Sequence, residues 1–109
     1  MDLKNIACVP CEVGAPTVTP EELLNYSKEV PNWEVYDNKT KIKREFEFEN
    51  FVKAIAFVNK IAEVAESEGH HPNIYVYDYK KVRVELWTHK IGGLHRNDFV
   101  LAAKIDGLL

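Results

Sequence analysis

His70 and His71 stand side by side in "EGHHPNIYVYDY", residues 68 to 79, and make up half of the four histidines in the chain. An imidazole titrates near neutral pH and can present either an acid or a base form, which is why functional sites recruit it; a lone histidine is otherwise ordinary surface or a satisfied hydrogen bond. Glu66 lies four residues before His70 at the end of a helix-forming run, and Gly69 breaks that run, so both imidazoles swing toward the strand that follows. His89 ends a later extended run. A hairpin closed near Lys80-Lys81 returns it to the end where His71 and Pro72 lead into the preceding strand. Three imidazoles and a carboxylate are therefore expected at one pocket. Asp98, in the first turn of the last helix, is placed either to orient an imidazole or to stabilise the helix dipole.

Three histidines and a glutamate are also a zinc-type donor set. Adjacent residues seldom aim both rings at one ion, and neither H-x-H nor H-E-x-x-H occurs, so proton transfer without a metal is the expected chemistry. Cys8 and Cys11 are spaced C-x-x-C, which reads as half of a zinc site or as a redox pair. A complete zinc site takes about four ligands, and no second C-x-x-C is present. A thioredoxin-like pair would follow a strand at a helix start, whereas this one sits among Pro10, Gly14 and Pro16. The cysteines are expected to do no chemistry of their own, with metal or redox binding as the alternative.

The rest of the composition narrows the function classes. The chain has 109 residues, enough for one domain with a modest core. Seventeen acidic residues against 14 basic ones give a net charge of -3, and the pI is near 5.8, so no broad positive field attracts a phosphate backbone. Nucleic acid is not an expected ligand. "MDLKNIACVPCEVGAP" lacks a basic stretch followed by an apolar one, and no apolar run approaches the ~18 residues of a membrane span. A cytoplasmic protein is expected.

The elements that would position the histidines can be read from caps and periodicity. Residues 1–18 carry turn-formers without periodicity and read as an irregular surface arm; residues 19–109 read as the domain. "TPEELLNYSKEV" opens with a Thr19 cap, Pro20 and Glu22, a capping box that predicts a helix of about ten residues ended by Pro31. "WEVYDNKTKIKREFEF" predicts a hairpin turning at Asp37-Asn38, with Ile42, Phe46 and Phe48 on the inner face and Arg44 interrupting it. Asn50 caps a long helix ended by Gly69, with Phe51, Ile55, Val58, Ala62 and Ala65 as its expected apolar stripe. "NIYVYDYKKVRVELWTH" predicts a second hairpin with Ile74, Val76, Val82, Val84 and Leu86 on one face and Tyr75, Tyr77 and Trp87 on the other. Gly92-Gly93 precede a last helix with Phe99, Ala102, Ala103 and Asp106 around a partly apolar surface. The order α-β-β-α-β-β-α implies an α+β fold, a four-stranded antiparallel sheet covered by helices on one face. Two open edges and an aromatic rear face predict a homo-oligomer.

"EVAESEGHHPNIYVYDYKKVRVELWTHKIGGLHRNDFVLAAKID" resembles the signature of the pterin-4a-carbinolamine dehydratase family, with E-x-x-x-H-H-P, T-H, G-L and an Asp in order. The resemblance runs from about Trp33 through "FEFENFVKAIAFVNKIAEVAE" to the C-terminus, and "CVPCEVG" resembles the N-terminal arms of bacterial-type members. It implies a hydro-lyase that removes water from a 4a-hydroxytetrahydropterin to give quinonoid dihydropterin, recycling a tetrahydropterin such as tetrahydrobiopterin, with no metal or organic cofactor. Carried over, His70, His71 and His89 are catalytic, and Glu66 and Asp98 support them. Trp33, Pro72, Thr88 and Lys90 are expected to meet the pterin. The family forms homodimers and homotetramers, and some animal relatives also serve as a dimerisation cofactor of a homeodomain transcription factor. That interaction role and a metal-binding module are the alternatives to the enzyme. Where the family often caps its last helix with Ser or Thr after G-L, this chain has His95, leaving Asn97 as another candidate cap.

Overall fold

The computed structural model describes residues 2–10 and 12–109; Cys11 lies outside the described residues. Thr19 caps helix α1 (Pro20–Glu29): its hydroxyl accepts from the Glu22 N–H while Glu22 accepts from the Thr19 N–H. Strands β1 (Glu34–Tyr36) and β2 (Lys41–Glu47) follow, then helix α2 (Phe51–Glu68), strands β3 (Asn73–Tyr77) and β4 (Lys81–Leu86), and helix α3 (Arg96–Asp106). The strands form one antiparallel sheet in the order β1-β2-β4-β3, so the two hairpins join through β2 and β4 and leave β1 and β3 as edges. The first hairpin turns through Asp37, Asn38 and Lys39, all at positive φ, a longer connection than the two-residue turn that Asp37-Asn38 suggested.

The register places Ile42 opposite Leu86 and Phe46 opposite Val82, which builds the inner face of the sheet. These side chains and Val84 are buried with Ala54, Phe57, Ile61 and Ala65 of α2 and Phe99, Leu101 and Ile105 of α3. The inward stripe of α2 matches the expected one only in part: Ala65 is buried and Val58 packs against the core, but Ala54, Phe57 and Ile61 take the remaining inward places. Phe51 is 52 % exposed, Ala62 is exposed and Ile55 is only half-buried. The helix is apolar over a broad arc, so more than one stripe satisfies a 3.6-residue period, and packing against the sheet and α3 selects among them. Helix α3 is buried nearly all round, with Val100 and Leu101 inside as well as Phe99 and Ala102, while Ala103 and Asp106 lie at its margin.

Arg44 occupies an inner-face position opposite Val84. It is accommodated by Asp106, whose Oδ1 accepts from its guanidinium at 2.7 Å and from Trp33 Nε1 at 2.8 Å. On the rear face Lys41 lies over Trp87, Lys43 over Tyr36 and Arg83 over Tyr75. The N-terminal arm is less peripheral than its composition suggested. Leu3–Asn5 form one 3-10 turn, and Leu3 is buried in the core.

Candidate active site

Helix α2 ends because Gly69 takes a left-handed conformation (φ 65°), with no heavy atom near the place a Cβ would occupy; the torsion, and not lack of space, demands glycine. The chain then leaves the helix axis, and the two neighbouring imidazoles go to different carboxylates. His70 Nε2 lies 2.6 Å from Asp98 Oδ1, and His71 Nε2 lies 3.0 Å from Glu66 Oε2. His70 is 14 % exposed and its aspartate 0 %, whereas His71 and Glu66 stand in solvent, at 62 and 81 %. The first pair is held rigidly; the second is screened and weak.

Asp98 is the hub of the site. Its Oδ2 accepts from Thr88 Oγ1 at 2.9 Å and from the His95 backbone N–H at 2.9 Å. With His70 on Oδ1, a buried carboxylate has all its described partners as donors. The proton of neutral His70 must then lie on Nε2, and Nδ1 is left with the basic lone pair. Asp98 thus orients an imidazole and also completes the cap of α3.

Beyond β4, Trp87, Thr88 and His89 lead into a short 3-10 turn, His89–Ile91, closed by an antiparallel bridge between Thr88 and Gly93. Gly93 leaves room for Thr17 of the arm, whose Cγ2 a Cβ would meet at 2.8 Å. His89 packs against Trp87 with ring centroids 4.4 Å apart and the planes tilted by 40°. A cleft of about 660 Å³ opens between this turn and the end of α2, and His70, His71, Pro72, Thr88, His89 and Lys90 all line it. Asp98 stands behind His70, and Glu66 reaches the site only through His71. Trp33 does not line the cleft: it is 5 % exposed in the core and its indole N–H is spent on Asp106. No group of three or more His, Cys, Asp and Glu side chains placed to hold a metal ion occurs among the described residues.

Several lining residues carried no signal in the sequence. Trp87 read as part of the rear face, yet it borders the cleft, as do Asn73, Glu68 and Asn97. Cys8, Val9 and Pro10 border it too, although about sixty residues or more separate them from the histidines in the chain. The fold brings Cys8 of the arm to the same cleft as the histidines. Burial, with Glu68 next to it, pushes its thiol up to about 12, so Cys8 is held protonated and is a poor nucleophile.

His95 itself caps α3. Its Nδ1 accepts from the Asn97 N–H at 3.0 Å while its own N–H donates to Asp98, a reciprocal box in which an imidazole takes the place of a hydroxyl. Asn97 is not the cap. Burial lowers the His95 pKa from its ordinary 6.5, helped by Arg96 and His70 and opposed by Asp98 and Glu22. A base whose folded pKa is lowered leaves the unfolded chain binding more protons, so its contribution is whole above about 6.5 and is lost as pH falls through the folded value. Serine caps at any pH. Urea unfolding of His95→Ser beside the parent should therefore show the balance moving in favour of the serine variant between pH 7.5 and pH 5.0. A stability difference that does not change with pH would remove the imidazole from the cap.

The family model described as Pterin 4 alpha carbinolamine dehydratase matches residues 16–108. A protein of Methylococcus capsulatus bearing the pterin-4-alpha-carbinolamine dehydratase name is 50 % identical over 101 residues, 93 % of this chain and 88 % of its own. One of Chlorobium limicola with the same name is 46 % identical over 110 residues, 98 % of this chain and 96 % of its own. Among solved structures, a transcriptional coactivator/pterin dehydratase from Brucella melitensis superposes with a TM-score of 0.79 at 29 % identity, covering 85 % of this chain and 98 % of that one. A pterin dehydratase-like RuBisCO assembly factor of the alpha-carboxysome shares the fold, with a TM-score of 0.61 at 24 % identity over 71 % of this chain and 88 % of that one. With a family match across most of its length and relatives near half identical, the chain belongs to the pterin-4-alpha-carbinolamine dehydratase family.

Proposed function

We propose that this chain dehydrates a 4a-hydroxytetrahydropterin to the quinonoid dihydropterin by histidine acid-base catalysis, in the recycling of a tetrahydropterin cofactor. The observation that carries the reading is the buried Asp98 holding His70 by Nε2 at a cleft that His71 and His89 also line. Dehydration of a carbinolamine needs one proton delivered to the departing 4a oxygen and one removed from ring nitrogen, while the nitrogen lone pair expels the oxygen as water. His70 suits the second task. Its Nδ1 takes the proton, and Asp98 stabilises the imidazolium that forms, as the aspartate of a serine-protease triad does for its histidine. His71 and His89, open to the cleft, supply the acid at oxygen. Thr88 and Lys90 flank His89 where the pterin ring would lie.

Stopped-flow mixing with chemically generated carbinolamine tests the reading. Dehydration should exceed the spontaneous rate in proportion to enzyme concentration and be insensitive to exhaustive chelation. A rate equal to the spontaneous one at micromolar enzyme would end the proposal.

A further inference from the structure

The N-terminal arm is held against the cleft by bonds that its composition does not announce. The Cys8 N–H donates to Glu68 Oε1 at 2.7 Å, the Val9 N–H donates to Asn97 Oδ1 at 3.0 Å, and Asn97 Nδ2 donates back to the Val9 carbonyl at 2.6 Å. The Cys8 thiol lies 3.7 Å from the Asn97 carbonyl. Asn97 is buried although Val9 is exposed, so this two-way amide pairing is shielded from water on the Asn97 side. Both anchors adjoin the catalytic groups in the chain: Glu68 precedes Gly69-His70-His71, and Asn97 precedes Asp98. The arm is also fixed on either side of this contact. The Leu3 N–H donates to Glu29 at 3.0 Å, and the Val18 N–H donates to the Leu94 carbonyl at 2.9 Å.

What the arm offers the cleft is apolar. The amides of Cys8 and Val9 are already bonded to protein, and Pro10 has none. Val9 is 43 % exposed and Pro10 is exposed, both on the cleft wall. Anchoring a segment by its backbone while leaving its apolar side chains open suits a binding wall, since the Cys8 and Val9 amides and the Val9 carbonyl are paired before the ligand arrives. The segment also lies outside residues 16–108, the span that the family model matches.

We propose that Cys8–Pro10 form a wall of the pterin site, a binding element that holds the bicyclic ring by apolar contact and takes no part in proton transfer. The inference rests on the dehydratase reading. An element that contacts substrate and transition state alike changes KM and leaves kcat alone. Val9→Ser with Pro10→Ala removes apolar surface that is exposed on the cleft wall, the proline change also freeing one backbone torsion, and should raise KM about tenfold with kcat within about threefold of the parent. A second measurement does not depend on turnover. In a Cys11→Ser background the half-buried Cys8 thiol is labelled by a disulfide reagent when the arm lifts, and a pterin resting on the arm opposes that lifting by mass action. Saturating 7,8-dihydrobiopterin should slow Cys8 labelling at least ~10-fold.

An unchanged KM in the double variant, a loss confined to kcat, or labelling that bound 7,8-dihydrobiopterin does not slow would each overturn the proposal. A parent chain that neither binds 7,8-dihydrobiopterin nor speeds dehydration overturns the dehydratase reading instead, so the two failures are told apart.

Discussion

His70→Ala should slow dehydration of the carbinolamine by ~10²–10⁴-fold, the range of a positioned acid-base group. The ring is mostly buried at 14 % exposure, its Nε2 is held by Asp98, and the residue lines the cleft, so its removal takes away the one imidazole that a buried carboxylate orients there. His71→Ala should fall at the lower end of the range. Its bond to Glu66 is solvent-exposed and worth ~0–1 kcal/mol, which leaves the ring less strictly aimed. If both rings serve one bound pterin, the double variant should lose less than the product of the two single losses, because groups acting as a unit are not additive. Rates are to be corrected for spontaneous dehydration, with folding checked by circular dichroism. A folded His70→Ala that turns over at the parental rate would refute the role given to its ring. Full activity in His71→Ala would make the pair one catalytic residue beside one structural residue.

Asp98→Asn should cost a comparable ~10²–10⁴-fold while preserving the shape of the site, for a reason specific to this hydrogen-bond network. Thr88 Oγ1 and the His95 N–H both donate to the same oxygen of Asp98. An asparagine placed here keeps its carbonyl oxygen toward those two donors, which turns its NH₂ toward His70 Nε2. Two donors cannot share that contact, so the His70 proton moves to Nδ1 and the basic nitrogen is buried against residue 98. The substrate then meets an N–H where it needs a lone pair. Asp98→Ala is the contrasting variant. It strands the Thr88 hydroxyl and the His95 N–H, at ~1–3 kcal/mol for each buried group left unsatisfied, so it should lose stability as well as rate. The discriminating result is Asp98→Asn with a melting temperature near that of the parent and a lost rate. Parental activity in that variant would show that the tautomer of His70 does not matter to the reaction.

The places where sequence and structure agree share a physical character. The Thr19-Pro20-Glu22 box, the Asn50 cap, the Gly69 stop and the alternation of Val82, Val84 and Leu86 are each specified by torsions and hydrogen bonds within a few residues. The pairing of the His71 end of β3 with the His89 end of β4 follows from a hairpin and was legible for the same reason. The inward face of α2 was legible only in part, because Phe51, Ile55 and Ala62 are as apolar as Ala54, Phe57 and Ile61 and only the surface they meet distinguishes them. Trp33 looked available to a ligand until Asp106, 73 residues away, took its N–H.

By itself the sequence determined which residue types were present for chemistry, where the chain would turn, and that three histidines would reach one end of a sheet. Tertiary structure alone decided which carboxylate each histidine received, that His95 would cap a helix, and that an arm without periodicity would border the cleft. The division has a cause. Caps, turns and strand alternation are set by neighbours along the chain, whereas the bonds from Asp98 to His70 and from Asn97 to Val9 span 28 and 88 residues and exist only once the core has closed around them.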